Sequence, residues 1–341
     1  MSSSSSPASA ASGSSPAPHV VEDCLGIVQL LSDGTVTRSD DCSSIPLLCN
    51  VPSDLPVEWK DVVYEEAHGL RLRMYTPTSH AGDGGKDKLP VLVYFHGGGF
   101  CIASFELSNF HSGALRLAGE LPAVVLSADY RLAPEHRLPA AHEDAESVLS
   151  WLRGHAASPA ADPWLAASAD FDRVFVCGDS AGGNIAHHLT VRCGSGRIAL
   201  APARLAGCVM LWPYFGGEDR MPSEVPAPAG SEAAMNIALF DKTWRLALPA
   251  GVTRDHPAAN PFGPESAPLD GVHFPAVLIV DPEQDVLRDR VTDYVARLTA
   301  MGKHVDLVKF AGQGHGFFVF DPFGEASDKL VRVVRRFVCG S

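Results

Sequence analysis

The sequence predicts an α/β protein with a mostly parallel central sheet flanked by helices. Short apolar runs alternate with segments of helical periodicity over most of the chain, the pattern of βαβ units. Two of those runs, 90–95 and 173–177, end in glycine-rich turns: His96-Gly97-Gly98-Gly99-Phe100 and Gly178-Asp179-Ser180-Ala181-Gly182-Gly183-Asn184. An interval of some sixty residues, Trp212 to Ala276, breaks the alternation and is too long for a plain loop.

In chain order, residues 1–18 are rich in Ser, Ala and Pro and carry no charge, the composition of a disordered tail. A secretory signal needs a basic start and an apolar core, and a transit peptide usually carries arginine. Residues 19–341 read as a single domain. Residues 21–31 are apolar at about half their positions and run into a turn at Asp33-Gly34. Residues 62–65 and 70–75 read as an antiparallel pair turning around His68-Gly69, and 79–88 as a polar loop. Strands are then expected at 90–95, 123–128, 173–177, 205–211, 276–280 and 304–310. Helices are expected at about 109–120, 140–153, 181–192, 286–301 and 326–338. The interval at 213–262 contains one helical patch, Ala233 to Leu248, and is expected to cap the sheet together with segment 19–50.

Composition narrows the function. With 27 basic and 40 acidic residues in 341, the net charge is −13, which disfavours nucleic-acid partners. The 46% hydrophobic content supplies a large core, and no apolar stretch approaches a membrane span. The eight cysteines contain no C-x-x-C pair and read as reduced thiols. The compartment expected is the cytoplasm, with the nucleus as a second.

The spacing around Ser180 is G-x-S-x-G, placed between a strand and a helix, as in a nucleophile elbow. A serine hydroxyl needs a base, and the base an orienting carboxylate. His315 lies in a glycine-rich loop after the run 304–310, at the carboxyl end of a strand, where ligand chemistry gathers in open α/β sheets. For the acid, Asp281, Glu283, Asp285 and Asp289 compete. Asp281 ends its strand before Pro282, Asp289 falls inside the next helix, and Asp285 stands between them and is favoured. Ala181 N–H at a helix start, with Gly98 and Gly99, would form the oxyanion hole, and His96 would anchor that loop. Phe100, Phe215, Trp244 and Phe317 suit either an apolar acyl or alcohol pocket or the core. His142-Glu143-Asp144 and His187-His188 lack metal-ligand spacing, so no metal or other cofactor is expected. Nor do the glycines of 178–183 fit a nucleotide-binding motif.

HGGGF at 96–100, DYRLAPEHRLPAA at 129–141 and GDSAGGN at 178–184 resemble the hormone-sensitive-lipase-like branch of the α/β-hydrolases. Within it the chain is similar to plant carboxylesterases, a group that includes the gibberellin receptors. VEDCLGIVQLLSDGTVTRS, FGGEDR, DKTWRLALP, TRDHPAANPFGP and LRDR look especially like the subgroup linked to strigolactone breakdown. The resemblance implies Ser180 as nucleophile, Asp285 as acid and His315 as base, with Gly98 and Gly99 in the oxyanion hole. That subgroup can carry glutamate at the acid position, so aspartate is a departure. It also implies an N-terminal lid, with Leu30 and Leu31 facing the pocket. The expected function is therefore a serine carboxylesterase acting on an apolar ester or lactone, such as a strigolactone. A non-catalytic hormone receptor on the same fold is the competing reading, though such receptors lack the triad histidine. Amide hydrolysis or general xenobiotic ester hydrolysis would use the same machinery.

Overall fold

The computed structural model describes residues 17–41, 43–46, 54–79, 87–158, 162–225 and 232–340. Most of the expected tail, Cys42, Cys49, and parts of the 79–88 loop and of both cap segments lie outside the described residues.

The chain opens with a small antiparallel sheet of β1 (Val20–Cys24), β2 (Val28–Leu31) and β3 (Val36–Arg38). A second sheet begins with the hairpin β4 (Val57–Glu65) and β5 (Leu70–Pro77), which turns at Gly69 with φ 65°. It continues through β6 (Leu89–Phe95), β7 (Val124–Ala128), β8 (Ala169–Asp179), β9 (Leu205–Leu211), β10 (Ala276–Pro282) and β11 (Val305–Phe310). The order is β11-β10-β9-β8-β6-β7-β5-β4, with every pair from β7 to β11 parallel.

Helices α1 (Ser108–Glu120), α2 (Ala140–Ala157), α3 (Pro163–Ser168), α4 (Ala181–Gly194), α5 (Glu232–Ala247), α6 (Arg288–Ala300), α7 (Phe317–Phe320) and α8 (Glu325–Cys339) complete the chain. All seven residues of β6 are buried, because both faces of the sheet are covered. Val91, Val93 and Phe95 pack in one core with α2, α4 and α6, while Leu92 and Tyr94 pack in the other with α1 and α8.

The expected strands and helices are present with shifted ends. β8 starts and ends further out than 173–177, and β10 runs on to include Asp281 and Pro282. The helix expected from 286 begins at Arg288. The three strands β1 to β3 and helices α3 and α7 were not anticipated, since each is too short to show a period. Helix α5 matches the helical patch in the long interval and packs against β1. Lys242 Nζ donates to Asp23 O at 3.0 Å, and Arg245 pairs with Glu22.

Candidate active site

Strand β8 passes directly into α4 through Ser180, whose φ of 51° and ψ of −115° lie outside the relaxed regions for an L-residue. The surrounding glycines make the turn possible. A Cβ on Gly178 would stand 2.3 Å from the backbone of Gly182, and one on Gly182 would stand 1.9 Å from Phe95 O. The turn is held by Ser180 N–H donating to Leu211 O at 2.9 Å and by Tyr214 N–H donating to Ser180 O at 2.8 Å.

The loop after β11 brings His315 over this serine. Its Nε2 lies 2.9 Å from Ser180 Oγ and its Nδ1 2.7 Å from Asp285 Oδ2. The other oxygen of Asp285 accepts Leu287 N–H at 2.9 Å, so the buried carboxylate has a partner on each side. A carboxylate only accepts, so Nδ1 carries the ring proton and Nε2 turns its lone pair toward the serine hydroxyl. The loops carrying acid and imidazole are tied by Gln284 N–H to Gln313 O at 2.9 Å. Trp212 and Phe240 flank the imidazole edge-on, at ring distances of 6.4 and 4.9 Å.

None of the competing acids meets His315. Glu283 accepts Gly312 N–H at 3.3 Å, and Asp289 in α6 accepts Ser223 N–H at 2.7 Å. Asp281 is buried at the end of β10, and its Oδ1 meets no hydrogen-bond partner among the described residues. Burial pushes its carboxyl up to about 6, against the pull of Lys309 on the neighbouring strand.

The glycine loop after β6 stands on the other side of Ser180. Gly98 has φ 107°, and a Cβ there would meet Ile102 O at 2.2 Å. Among the described residues, the Gly98 and Gly99 N–H groups donate to no protein acceptor. Both glycines line the same cavity as Ser180 and His315, and Ala181 N–H opens α4 beside them. His96 holds the loop: its Nδ1 is 2.7 Å from Gly97 O and its ring stacks on Tyr130 at 4.4 Å.

The sequence reading missed a second anchor, Asp179. This buried carboxylate accepts Gly97 N–H at 3.0 Å and Tyr94 O–H at 2.6 Å, joining the glycine loop to the serine turn. Burial raises its carboxyl despite those donors. Its signal was its place directly before the serine.

The cavity over Ser180 has a volume of about 330 Å³. Leu25, Ile45, Leu239, Phe240, Val319 and Phe320 form much of its wall. The six residues expected to line a pocket stand elsewhere. Trp244 stacks on Tyr214 at 4.2 Å, with Phe100 buried beside them at 5.8 Å from Trp244. Phe215 packs between His187 and Tyr294, and Phe317 against Trp212 and Phe310. Leu30 and Leu31 are half-buried on β2, Leu30 against the core, while the adjoining turn residue Leu25 reaches the cavity instead. Large aromatic side chains fill the layer beneath α5 because burying them there removes the most apolar surface from water.

Two further buried histidines have structural partners. His142 Nε2 is 3.0 Å from Asn184 Oδ1, its ring stacks on His188 at 4.0 Å, and burial holds it well below the usual imidazole range. His187 Nδ1 meets Tyr294 O–H at 2.7 Å, and burial lowers it to about 3. Among the described residues no group of three or more His, Cys, Asp or Glu side chains could hold a metal ion, and no helix is long and apolar enough to cross a membrane.

A family model described as the alpha/beta hydrolase fold matches residues 92–319. The chain belongs to the α/β-hydrolase family. Among its curated relatives, it is 36% identical to tuliposide A-converting enzyme 2, chloroplastic, of Tulipa gesneriana over 85% of this chain and 72% of that protein. It is 35% identical to carboxylesterase 20 of Arabidopsis thaliana, over 85% of this chain and 88% of that one. Among solved structures, this α/β-hydrolase superposes on the esterase of the archaeon Pyrobaculum calidifontis with a TM-score of 0.68 and 28% identity. That match covers 83% of this chain and 85% of the archaeal one.

Proposed function

We propose that this α/β-hydrolase is a serine carboxylesterase cleaving a neutral, apolar carboxylic ester or lactone through an acyl-serine intermediate. One observation carries the reading: an unbroken hydrogen-bonded line from Asp285 through His315 to Ser180, facing two unused glycine amides across an apolar cavity. In the reaction His315 Nε2 takes the Ser180 proton as Oγ attacks the ester carbonyl carbon. The carbonyl oxygen becomes an oxyanion, received by the N–H groups of Gly98, Gly99 and Ala181. As the tetrahedral adduct collapses, the imidazolium returns that proton to the departing alkoxide, leaving an acyl-serine. Water then enters by the same steps in reverse roles and frees the acid. Asp285 stabilises the imidazolium throughout.

The cavity supports the substrate class. Among the described residues its wall carries no ionisable Asp, Glu, His, Lys or Arg side chain beyond Asp179 and His315 of the site itself, which favours an uncharged ligand. Its volume, about 330 Å³, suits a small molecule rather than a polymer. Within that class we assign a strigolactone-type plant hormone, on the resemblance of the motifs quoted above. The small sheet β1–β3 and helix α5 act as the lid. The relatives named for carboxylesterase and esterase activity support the reaction class. The receptor reading has no observation in its favour.

The test is hydrolysis of a strigolactone analogue beside p-nitrophenyl acetate, with wild type and Ser180→Ala. Serine-dependent cleavage of both, faster for the analogue, supports the full reading. Cleavage of the simple ester alone keeps the esterase and removes the hormone. Binding of the analogue with no cleavage of either brings back the receptor.

A further inference from the structure

The oxyanion donors come from two separate backbone segments: Gly98 and Gly99 follow β6, and Ala181 opens α4. Their spacing must be held by something that touches both. Asp179 does this from below, within the sheet. From above, the contact is made by α5, through Thr243.

Thr243 is buried and lines the cavity. A Cβ built on Gly99 would fall 2.7 Å from Thr243 Cβ and 2.8 Å from both its Cγ2 and Oγ1, so this side chain occupies the space against Gly99, whose φ is 60°. The hydroxyl spends its proton inside the protein. Oγ1 lies 2.7 Å from Tyr214 Oη and 3.1 Å from Phe240 O, while Tyr214 O–H itself donates to Phe240 O at 2.6 Å. Tyr214 is the residue whose N–H donates to Ser180 O at 2.8 Å, and its carbonyl accepts Asn184 Nδ2 from α4 at 3.0 Å. Cys101 Sγ, two residues beyond Gly99, donates to Thr243 O at 3.7 Å. Gly99, Thr243, Tyr214 and Ser180 thus form one contiguous path from the glycine loop to the nucleophile.

We infer that Thr243 is a positioning residue: paired with Tyr214, it sets the Gly99 N–H at its working distance from Ser180 and makes oxyanion stabilisation depend on α5 being seated. The inference rests on the esterase reading. Because the Thr243 hydroxyl proton is already held by Tyr214 and Phe240, it acts through Gly99 and Ser180 and contributes to the transition state, not to ground-state binding. A donor displaced by a fraction of an ångström loses much of its effect on a developing charge, on the order of 10- to 100-fold in rate.

The experiment measures kcat and KM on p-nitrophenyl butyrate for wild type, Ser180→Ala, Thr243→Ser, Thr243→Val, Thr243→Ala and Tyr214→Phe. A second reading is inhibition by an alkyl trifluoromethyl ketone, whose serine adduct carries the same oxyanion, with thermal melting as a check on folding. Thr243→Val and Thr243→Ala should lower kcat about 10- to 100-fold with KM within threefold, and weaken the ketone in parallel. Thr243→Ser keeps Cβ and Oγ, two of the three atoms against Gly99, and should stay within threefold of wild type. Thr243→Val combined with Tyr214→Phe should be no worse than the poorer single variant, because both break one contact. The inference is overturned if folded Thr243→Val and Thr243→Ala keep wild-type kcat, if their losses fall in KM alone, or if Thr243→Ser is as impaired as Thr243→Ala. If Thr243→Val fails to fold, Tyr214→Phe decides in its place: it breaks the same contact and should lower kcat about 10- to 100-fold with KM within threefold, and wild-type kcat in the folded variant overturns the inference. Wild-type turnover that survives Ser180→Ala, or is absent altogether, overturns the esterase reading and this inference with it.

Discussion

Asparagine at position 285 has the shape of the aspartate it replaces, so its effect isolates the chemistry of one atom. Asp285 uses both oxygens, Oδ1 for Leu287 N–H at 2.9 Å and Oδ2 for His315 Nδ1 at 2.7 Å. In Asp285→Asn one of these becomes an NH₂ group. If the amide nitrogen faced the buried Leu287 N–H, two donors would oppose each other, at a cost of about 1–3 kcal/mol. The amide oxygen therefore keeps Leu287, and the NH₂ faces Nδ1. The imidazole must then accept at Nδ1 and carry its proton on Nε2, where it donates to Ser180 Oγ instead of taking that group's proton. Holding the wrong tautomer lowers kcat by roughly 10³–10⁴, equivalent to about 4–5.5 kcal/mol of transition-state stabilisation. Initial rates on p-nitrophenyl butyrate should show this loss with KM and melting temperature nearly unchanged, while Asp281→Asn keeps most of the rate. Asp285→Asn activity within tenfold of wild type, or a larger loss in Asp281→Asn, would refute the assignment.

Gly182→Ala places a Cβ 1.9 Å from Phe95 O, a backbone atom of a central strand, so it should abolish either soluble expression or activity; a soluble, fully active variant would contradict the packing. Phe240→Ala, which enlarges the cavity beside the imidazole, should raise kcat/KM for bulky esters relative to acetate in a substrate series. Trp244→Ala should instead cost about 3–5 kcal/mol of stability, read by denaturant unfolding, and leave the ranking of those esters unaltered. Asp281 has a folded-state carboxyl raised to about 6 from 3.8, so its contribution to stability is fully present below 3.8 and is lost as pH rises through 6. Asp281→Asn should therefore raise the melting temperature at pH 7.5, by on the order of 2 °C, and bring no gain near pH 4.

The serine and histidine were legible because their chemistry dictates their neighbours. Ser180 needs a turn that only Gly178 and Gly182 permit, and those glycines stand in the sequence. Asp285 could be reached by position, since Asp281 belongs to the strand and Asp289 to the helix. The cavity wall was not legible. Trp244 and Phe240 look equivalent as aromatic residues on one helix, yet only the second faces the cavity, and that choice depends on how α5 is rotated against Tyr214. Likewise Thr243 carries no motif; its role comes from Gly99, which is 144 positions earlier and meets it only in the folded chain. β1 to β3 escaped notice because three to five residues are too few to show a period: VVEDC groups its apolar and acidic residues instead of alternating them, and VQLL carries no charge.

The attachment of β1 to α5 has a consequence for how the protein is made. The bonds from Lys242 to Asp23 and from Arg245 to Glu22 join residues 219 and 223 positions apart. On a ribosome adding about 5–20 residues per second, the first strands emerge roughly 10–45 s before the helix that seats them. Until then the Asp23 carbonyl and the Glu22 carboxylate have no partner from α5. Leu25 and Ile45 supply one side of the cavity, Leu239 and Phe240 the other. A nascent or truncated chain that stops short of α5 could fold much of its sheet and still have nowhere to hold an ester.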